Sequence, residues 1–365
     1  MLDSKKYDDY SKVRTTADPS IFCHAPFTSL YFEQSGHALA CCYNRKHILG
    51  TYPHQTIEEM WHGSKAQELR EVLATNVLPP GCDICHGQFT SGNFGGLLAR
   101  QFDSLAQPPV AGSKMPPLGM PKVIGFEISN TCNLECKMCN GYFSSSIREN
   151  REKLPPLPFP YDEGFVAQLE PFIPHLTQAK FLGGEPFLIP IYADIWESIA
   201  RINPEILVSI TTNGTVLNKR AKAAIESLRS NIIVSIDSLD RGNYERIRRN
   251  ARFDKVMEHF AYFRDYTKRK KTALTIAFCP MQQNWWELPS TVEFGNEHDV
   301  DIYFNTVTWP PEVSLNRLGP EELEEVIGFL ESKTPKGSSA ISARNISKYK
   351  DVINQLRSYR KSAAA

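Results

Sequence analysis

After residue 121 the apolar positions of this chain alternate between two periods. Short runs rich in β-branched and aromatic residues fall at 123–129, 179–182, 206–212, 232–236, 274–278 and 301–304. The longer segments 191–202, 219–228 and 253–266 space their apolar residues at helical intervals. Such β/α repeats predict an α/β fold with a parallel sheet, because parallel neighbours need a crossover connection. Periodicity leaves open whether that sheet is flat or curled. Two terminal helices are predicted at 321–332 and 342–360. Earlier in the chain the pattern is mixed. Residues 29–41 read as a hairpin turning near Gly36. Thr56 with Glu59, and Ser64 with Gln67, form capping boxes that predict two helix starts.

Proline sets the divisions. Residues 107–121 (QPPVAGSKMPPLGMP) read as a linker and residues 154–160 (LPPLPFP) as a loop. The predicted order is a domain over 1–106, the linker, a β/α domain over 122–310 and C-terminal helices over 311–365. Basic and acidic residues each number 41, so no broad nucleic-acid-binding face is expected. The basic run at 264–271 reads as the solvated end of a helix. No apolar run is long enough to span a bilayer, and MLDSKKYDDYSK lacks a secretory core, so no membrane partner and a cytoplasmic location are expected. In that compartment the nine cysteines favour metal ligation over disulfides.

Cys132, Cys136 and Cys139 stand at CxxxCxxC spacing just after the first β/α strand. That edge of a parallel sheet is where such folds place their chemistry. Three thiols fall one short of a closed site. A zinc knuckle would borrow a fourth ligand such as His175 or Cys279. The next strand ends in GGEP at 183–186, where two glycines permit close approach and Glu185 offers a carboxylate.

Together these two motifs resemble the radical SAM superfamily, over residues 122 to about 309. The resemblance implies a partial (β/α)6 TIM-like barrel and a [4Fe-4S] cluster on Cys132, Cys136 and Cys139. The fourth iron would be chelated by S-adenosylmethionine. Carried over by position, Gly183, Gly184 and Glu185 would line the methionine amino group. Thr212 and Asn213, in TTNG at 211–214, would end the third strand beside the cofactor. Ser235 would contact the methionine carboxylate, with Arg248 accompanying it. Met138 departs from the family, which commonly has an aromatic residue there. The activity implied is reductive cleavage of S-adenosylmethionine to a 5′-deoxyadenosyl radical, which abstracts hydrogen from a substrate C–H bond.

Cys23, Cys41, Cys42, Cys82 and Cys85 precede the linker. Four thiolates from two segments would close an iron–sulfur cluster or a zinc site, and spacing does not separate the two. Cys23-x12-Gly36-x4-Cys41, followed by TIEEMW at 56–61 and the CxxC of Cys82 and Cys85, resembles the opening of the SPASM region. The match implies one auxiliary [4Fe-4S] cluster in a small mixed α+β SPASM/twitch-like domain. Its ligands would be Cys23, Cys41, Cys82 and Cys85, with Cys42 the alternative to Cys41. That region usually follows the barrel; here it comes first.

Cys279 ends the fifth strand. It reads either as a small buried residue or as the thiol that returns a hydrogen atom to a substrate radical. His24 and His86 adjoin cluster cysteines and are expected to shield them. The substrate expected is a ribosomally synthesised peptide, cross-linked, epimerised or rearranged. The alternatives are a sugar or other small molecule, and a non-catalytic zinc or Fe-S structural module. A reducing partner such as flavodoxin or ferredoxin, and a separate leader-peptide-binding protein, complete the expectations.

Overall fold

The computed structural model describes residues 2–108 and 115–363. The centre of the expected linker, 109–114, lies outside the described residues. Two compact units emerge. The first comprises residues 1–129, 157–183 and 190–208; the second comprises 130–156, 184–189 and 209–365.

In the first unit, β1 (Ser29–Glu33) and β2 (His37–Leu39) form the expected antiparallel hairpin, and Gly36 turns it with φ +85°. A side chain there would meet the Tyr52 carbonyl oxygen at 2.4 Å, so only glycine fits. β3 (Gly50–Thr51) extends the hairpin. On its other side β1 pairs in parallel with β4 (Val123–Glu127). Phe32, Phe126 and Phe165 pack there, with ring centroids 5.0–6.4 Å apart. The capping box at Thr56 starts helix Ile57–His62. The second box does not form: Gly63 caps helix Ser64–Ala74, and Ser64 is its first helical residue. The two helices leave Gly63 as their only joint, and a side chain there would strike the Glu59 carbonyl at 2.5 Å.

In the second unit β5 (Glu135–Cys136) lies within the cysteine loop. β6 (Gln178–Phe181) belongs to the first unit and pairs in parallel with β4. β7 (Leu207–Thr212) starts in the first unit and ends in the second. It is followed by β8 (Arg229–Ser235), β9 (Arg248–Arg249), β10 (Leu274–Phe278) and β11 (Asp301–Phe304). The order in the second unit is β7-β8-β10-β11, with β8, β10 and β11 parallel. All six predicted β/α strands are present in chain order, giving the α/β class expected. The basic run forms the last turns of helix Phe253–Lys270, where Arg269 and Lys270 engage Glu226. The terminal helices run over Pro320–Ser332 and Ala340–Ala363. Among the described residues no helix is long and apolar enough to cross a membrane.

Candidate functional site

Local sequence shapes the cysteine loop before any ligand is considered. Three serines follow it. Ser144 caps the next helix through Ile147 N and donates to the Leu134 carbonyl at 2.7 Å. Cys132 N donates to Ser145 Oγ at 3.0 Å, and Ser146 Oγ donates to the Cys132 carbonyl at 2.7 Å. Asn130 ties the loop shut by donating to the Gly141 carbonyl at 3.0 Å. β5 pairs antiparallel with β9, which sets Cys136 opposite Arg248.

Two side chains point N–H groups at the sulfurs. Arg248 Nη1 lies 3.8 Å from Cys136 Sγ, and Asn213 Nδ2 lies 3.9 Å from Cys132 Sγ. Burial raises all three thiols, Cys136 to about 11 and Cys139 to about 12. Metal binding at such thiols requires deprotonation, which N–H donors aimed at sulfur favour.

GGEP closes on this loop from the end of β6. Gly183 has φ +103°, and Glu185 N donates to the Thr131 carbonyl at 2.8 Å. A side chain on Gly184 would meet that carbonyl oxygen at 2.2 Å. The second glycine therefore serves the approach of two backbone segments. Glu185 is fully buried. Its Oε1 accepts from Thr212 Oγ1 at 2.8 Å and its Oε2 from Asn213 N at 2.7 Å. Burial lifts its carboxyl to about 7 against these bonds. His259 Nδ1 donates to the Gly214 carbonyl at 2.7 Å and pins the same turn.

Ser235 ends β8 beside Ala277 of β10. Two residues on, Asp237 is fully buried and pairs through Oδ2 with Arg248 Nε at 2.7 Å. Its Oδ1 accepts from Cys279 N at 2.7 Å. Asn284 Nδ2 donates to the carbonyls of Asp237 and Cys279. Cys279 and Met138 pack against Ile247, Met281, Val307 and Val313. Burial holds the Cys279 thiol well above its ordinary range.

The first unit gathers the other cysteines. Cys23, Cys82 and Cys85 each feel Cys41 as an electrostatic neighbour, and burial raises all four thiols. Asn44 joins two of them: its backbone N–H lies 3.5 Å from Cys41 Sγ and its Nδ2 3.4 Å from Cys82 Sγ. Cys42 has Glu127 and Lys180 as neighbours besides Cys41. His24 is fully buried and bonded to the Asp18 carbonyl, whereas His86 is exposed. His86 lies on helix Asp83–Ser91 one step beyond buried Cys85, and one helical step turns a side chain to solvent. Among the described residues no three His, Cys, Asp or Glu side chains converge as one metal ion would need; in a [4Fe-4S] cluster each cysteine ligates a separate iron.

The partners of these residues were not visible in spacing. Asn44, Ser144–Ser146, His259 and Asn284 act through caps and single bonds, and only the serine run after the cysteines offered a helix-start signal.

Residues 126–295 match the family described as the radical SAM superfamily. Residues 23–86 match the SPASM iron–sulfur cluster-binding domain. Residues 126–295 thus carry a radical SAM region, and an SPASM region precedes it in the chain. It is 27% identical over 186 residues to GTP 3',8-cyclase of Chlorobaculum tepidum, covering 48% of this chain and 51% of the relative. It is 30% identical over 191 residues to a probable GTP 3',8-cyclase of Methanocella arvoryzae, covering 51% and 53%. The chain thus spans about half the length of these curated relatives. Streptococcus suis SuiB bound to S-adenosylmethionine is similar at 16% identity and a TM-score of 0.42, over 73% of this chain and 56% of that one.

Proposed function

We propose that this chain is a radical SAM enzyme with two [4Fe-4S] clusters. Cys132, Cys136 and Cys139 hold the catalytic one, and Cys23, Cys41, Cys82 and Cys85 the auxiliary one. The observation that carries the reading is the three-thiol loop with N–H donors aimed at two of its sulfurs. When bound, the cluster and S-adenosylmethionine supply reductive C–S cleavage and hydrogen abstraction from carbon. Gly183, Gly184, Glu185, Thr212, Asn213, Ser235 and Arg248 form the cofactor's surroundings. Their bonds supply order: Glu185 joins the Thr131 carbonyl to the end of β7, and Arg248 and Asp237 join β8, β9 and β10.

The substrate proposed is a ribosomally synthesised peptide, and Cys279 is its hydrogen-atom donor. A donor must keep its S–H, and burial of Cys279 keeps the thiol protonated. A second reading, a nucleotide or other small molecule, is supported by the relatives named GTP 3',8-cyclase. A one-electron reductant of the flavodoxin or ferredoxin class, a leader-peptide-binding protein and the linear domain order of 1–106, 107–121, 122–310 and 311–365 complete the proposal.

Anaerobically reconstituted protein, given S-adenosylmethionine and a low-potential reductant, should form 5′-deoxyadenosine. With a candidate peptide in deuterated water, product carrying one deuteron at the altered carbon is expected, and Cys279→Ala should abolish that uptake. Unchanged uptake in Cys279→Ala removes the donor role. Conversion of GTP with no peptide turnover would favour the second reading.

A further inference from the structure

Arg248 stands between a cluster cysteine and a second charge. Its Nη1 faces Cys136 Sγ at 3.8 Å, while its Nε lies 2.7 Å from Asp237 Oδ2. The ion pair is buried, and Asp237 is held from its other oxygen by Cys279 N. The guanidinium thus faces a ligand sulfur with one nitrogen and a buried carboxylate with another. Tyr244 also faces the group, but burial raises its phenol and keeps it neutral. Glu185 feels Arg248 as well and also acts on Cys132. The antiparallel pairing of β5 with β9 fixes the guanidinium in place, so the contact is built into the backbone.

We propose that the buried Arg248–Asp237 pair sets the reduction potential of the cluster held by Cys132, Cys136 and Cys139. The inference rests on the assignment of that cluster to these cysteines. Reduction takes one electron from an external low-potential donor and makes the cluster more negative. A guanidinium at a ligand sulfur stabilises that added charge, and charge and hydrogen bonds to sulfur are established determinants of cluster potential. In a buried, weakly screened setting the effect is large. Asp237 opposes it from behind while holding the guanidinium in position. The two residues therefore pull the potential in opposite directions, which a purely structural pair would not do.

The test is a redox titration of the reconstituted full chain, followed by electron paramagnetic resonance. The catalytic cluster is identified by the change in its signal when S-adenosylmethionine is added. Arg248→Gln should move the midpoint to more negative values and Asp237→Asn to more positive ones, with Arg248→Lys between wild type and Arg248→Gln. The expected shifts are at least tenfold in the reduced-to-oxidised ratio at fixed potential, about 59 mV for a one-electron couple. Should Arg248→Gln lose its iron, Arg248→Lys and Asp237→Asn carry the test. Shifts of the same sign, or unshifted midpoints with full iron content, overturn the inference. A wild-type chain with no cluster at these cysteines overturns the assignment beneath it, and is told apart by its iron content.

Discussion

Glu185 is a carboxylate that the fold uses from within. Both oxygens are engaged, by Thr212 and Asn213, and burial nonetheless raises its carboxyl from 4.5 to about 7. The folded chain therefore binds its proton more tightly than the unfolded chain. The stability this contributes is fully present below pH 4.5 and is lost as pH rises through about 7. The difference corresponds to roughly 3 kcal/mol. Glu185→Gln should flatten that slope in the metal-free protein, measured as urea midpoints from pH 5 to 8. An unchanged slope would show that Glu185 is ionised throughout. Asn44 offers a second test at this scale. Its side-chain Nδ2 serves Cys82 while its backbone N–H serves Cys41, so Asn44→Ala, which removes the first alone, should lower the auxiliary cluster's iron retention and leave the catalytic cluster's intact. Equal loss from both clusters would contradict it.

Elements were legible where a period was long. The six strands and the long helices fall within a few residues of their predicted places, because alternation and helical spacing persist through each. The ends were less legible. At Ser64 the capping pattern was real in sequence, but the helix before it left only Gly63 to turn the chain. The tight joint at Gly184, where a side chain would meet the Thr131 carbonyl, has no local pattern to announce it. Gly184→Ala should therefore cost roughly 1–3 kcal/mol by overpacking, read as a lower urea midpoint of the metal-free chain. A midpoint equal to wild type would mean the turn relaxes freely. The exposed edge of β11 is closed by helix Ala340–Ala363, whose Asn345 accepts from Ile302 N at 2.9 Å and donates to the Val300 carbonyl at 3.0 Å. Asn345→Leu should leave that buried N–H unsatisfied and cost about 1–3 kcal/mol, again as a fall in urea midpoint; a neutral effect would show that the helix covers the edge by packing alone.

At the scale of the whole chain, seven of nine cysteines fall into two sets that differ in number. The set of three was legible in the spacing of one loop, whereas the set of four, spread from Cys23 to Cys85, was legible only through its resemblance to the SPASM region. Their supporting bonds were not, since Arg248 reaches Cys136 across 112 positions and Asn213 reaches Cys132 across 81. No local pattern encodes such distances. Substrate identity was equally hidden: the cysteine motifs specify the cofactors' surroundings, and the relatives share only about half their length with this chain. The proposed function gives the two sets a division of labour, with three ligands that would leave an iron open to S-adenosylmethionine and four that would close the other cluster. The most direct measurement is iron and sulfide content together with 5′-deoxyadenosine yield, in anaerobic wild type and in Cys132→Ala/Cys136→Ala/Cys139→Ala. About eight irons and eight sulfides are predicted for wild type, with nucleoside formed on reduction. The triple variant should keep about four of each and form none. Zinc in both sites, or nucleoside production that survives the triple substitution, would contradict the account.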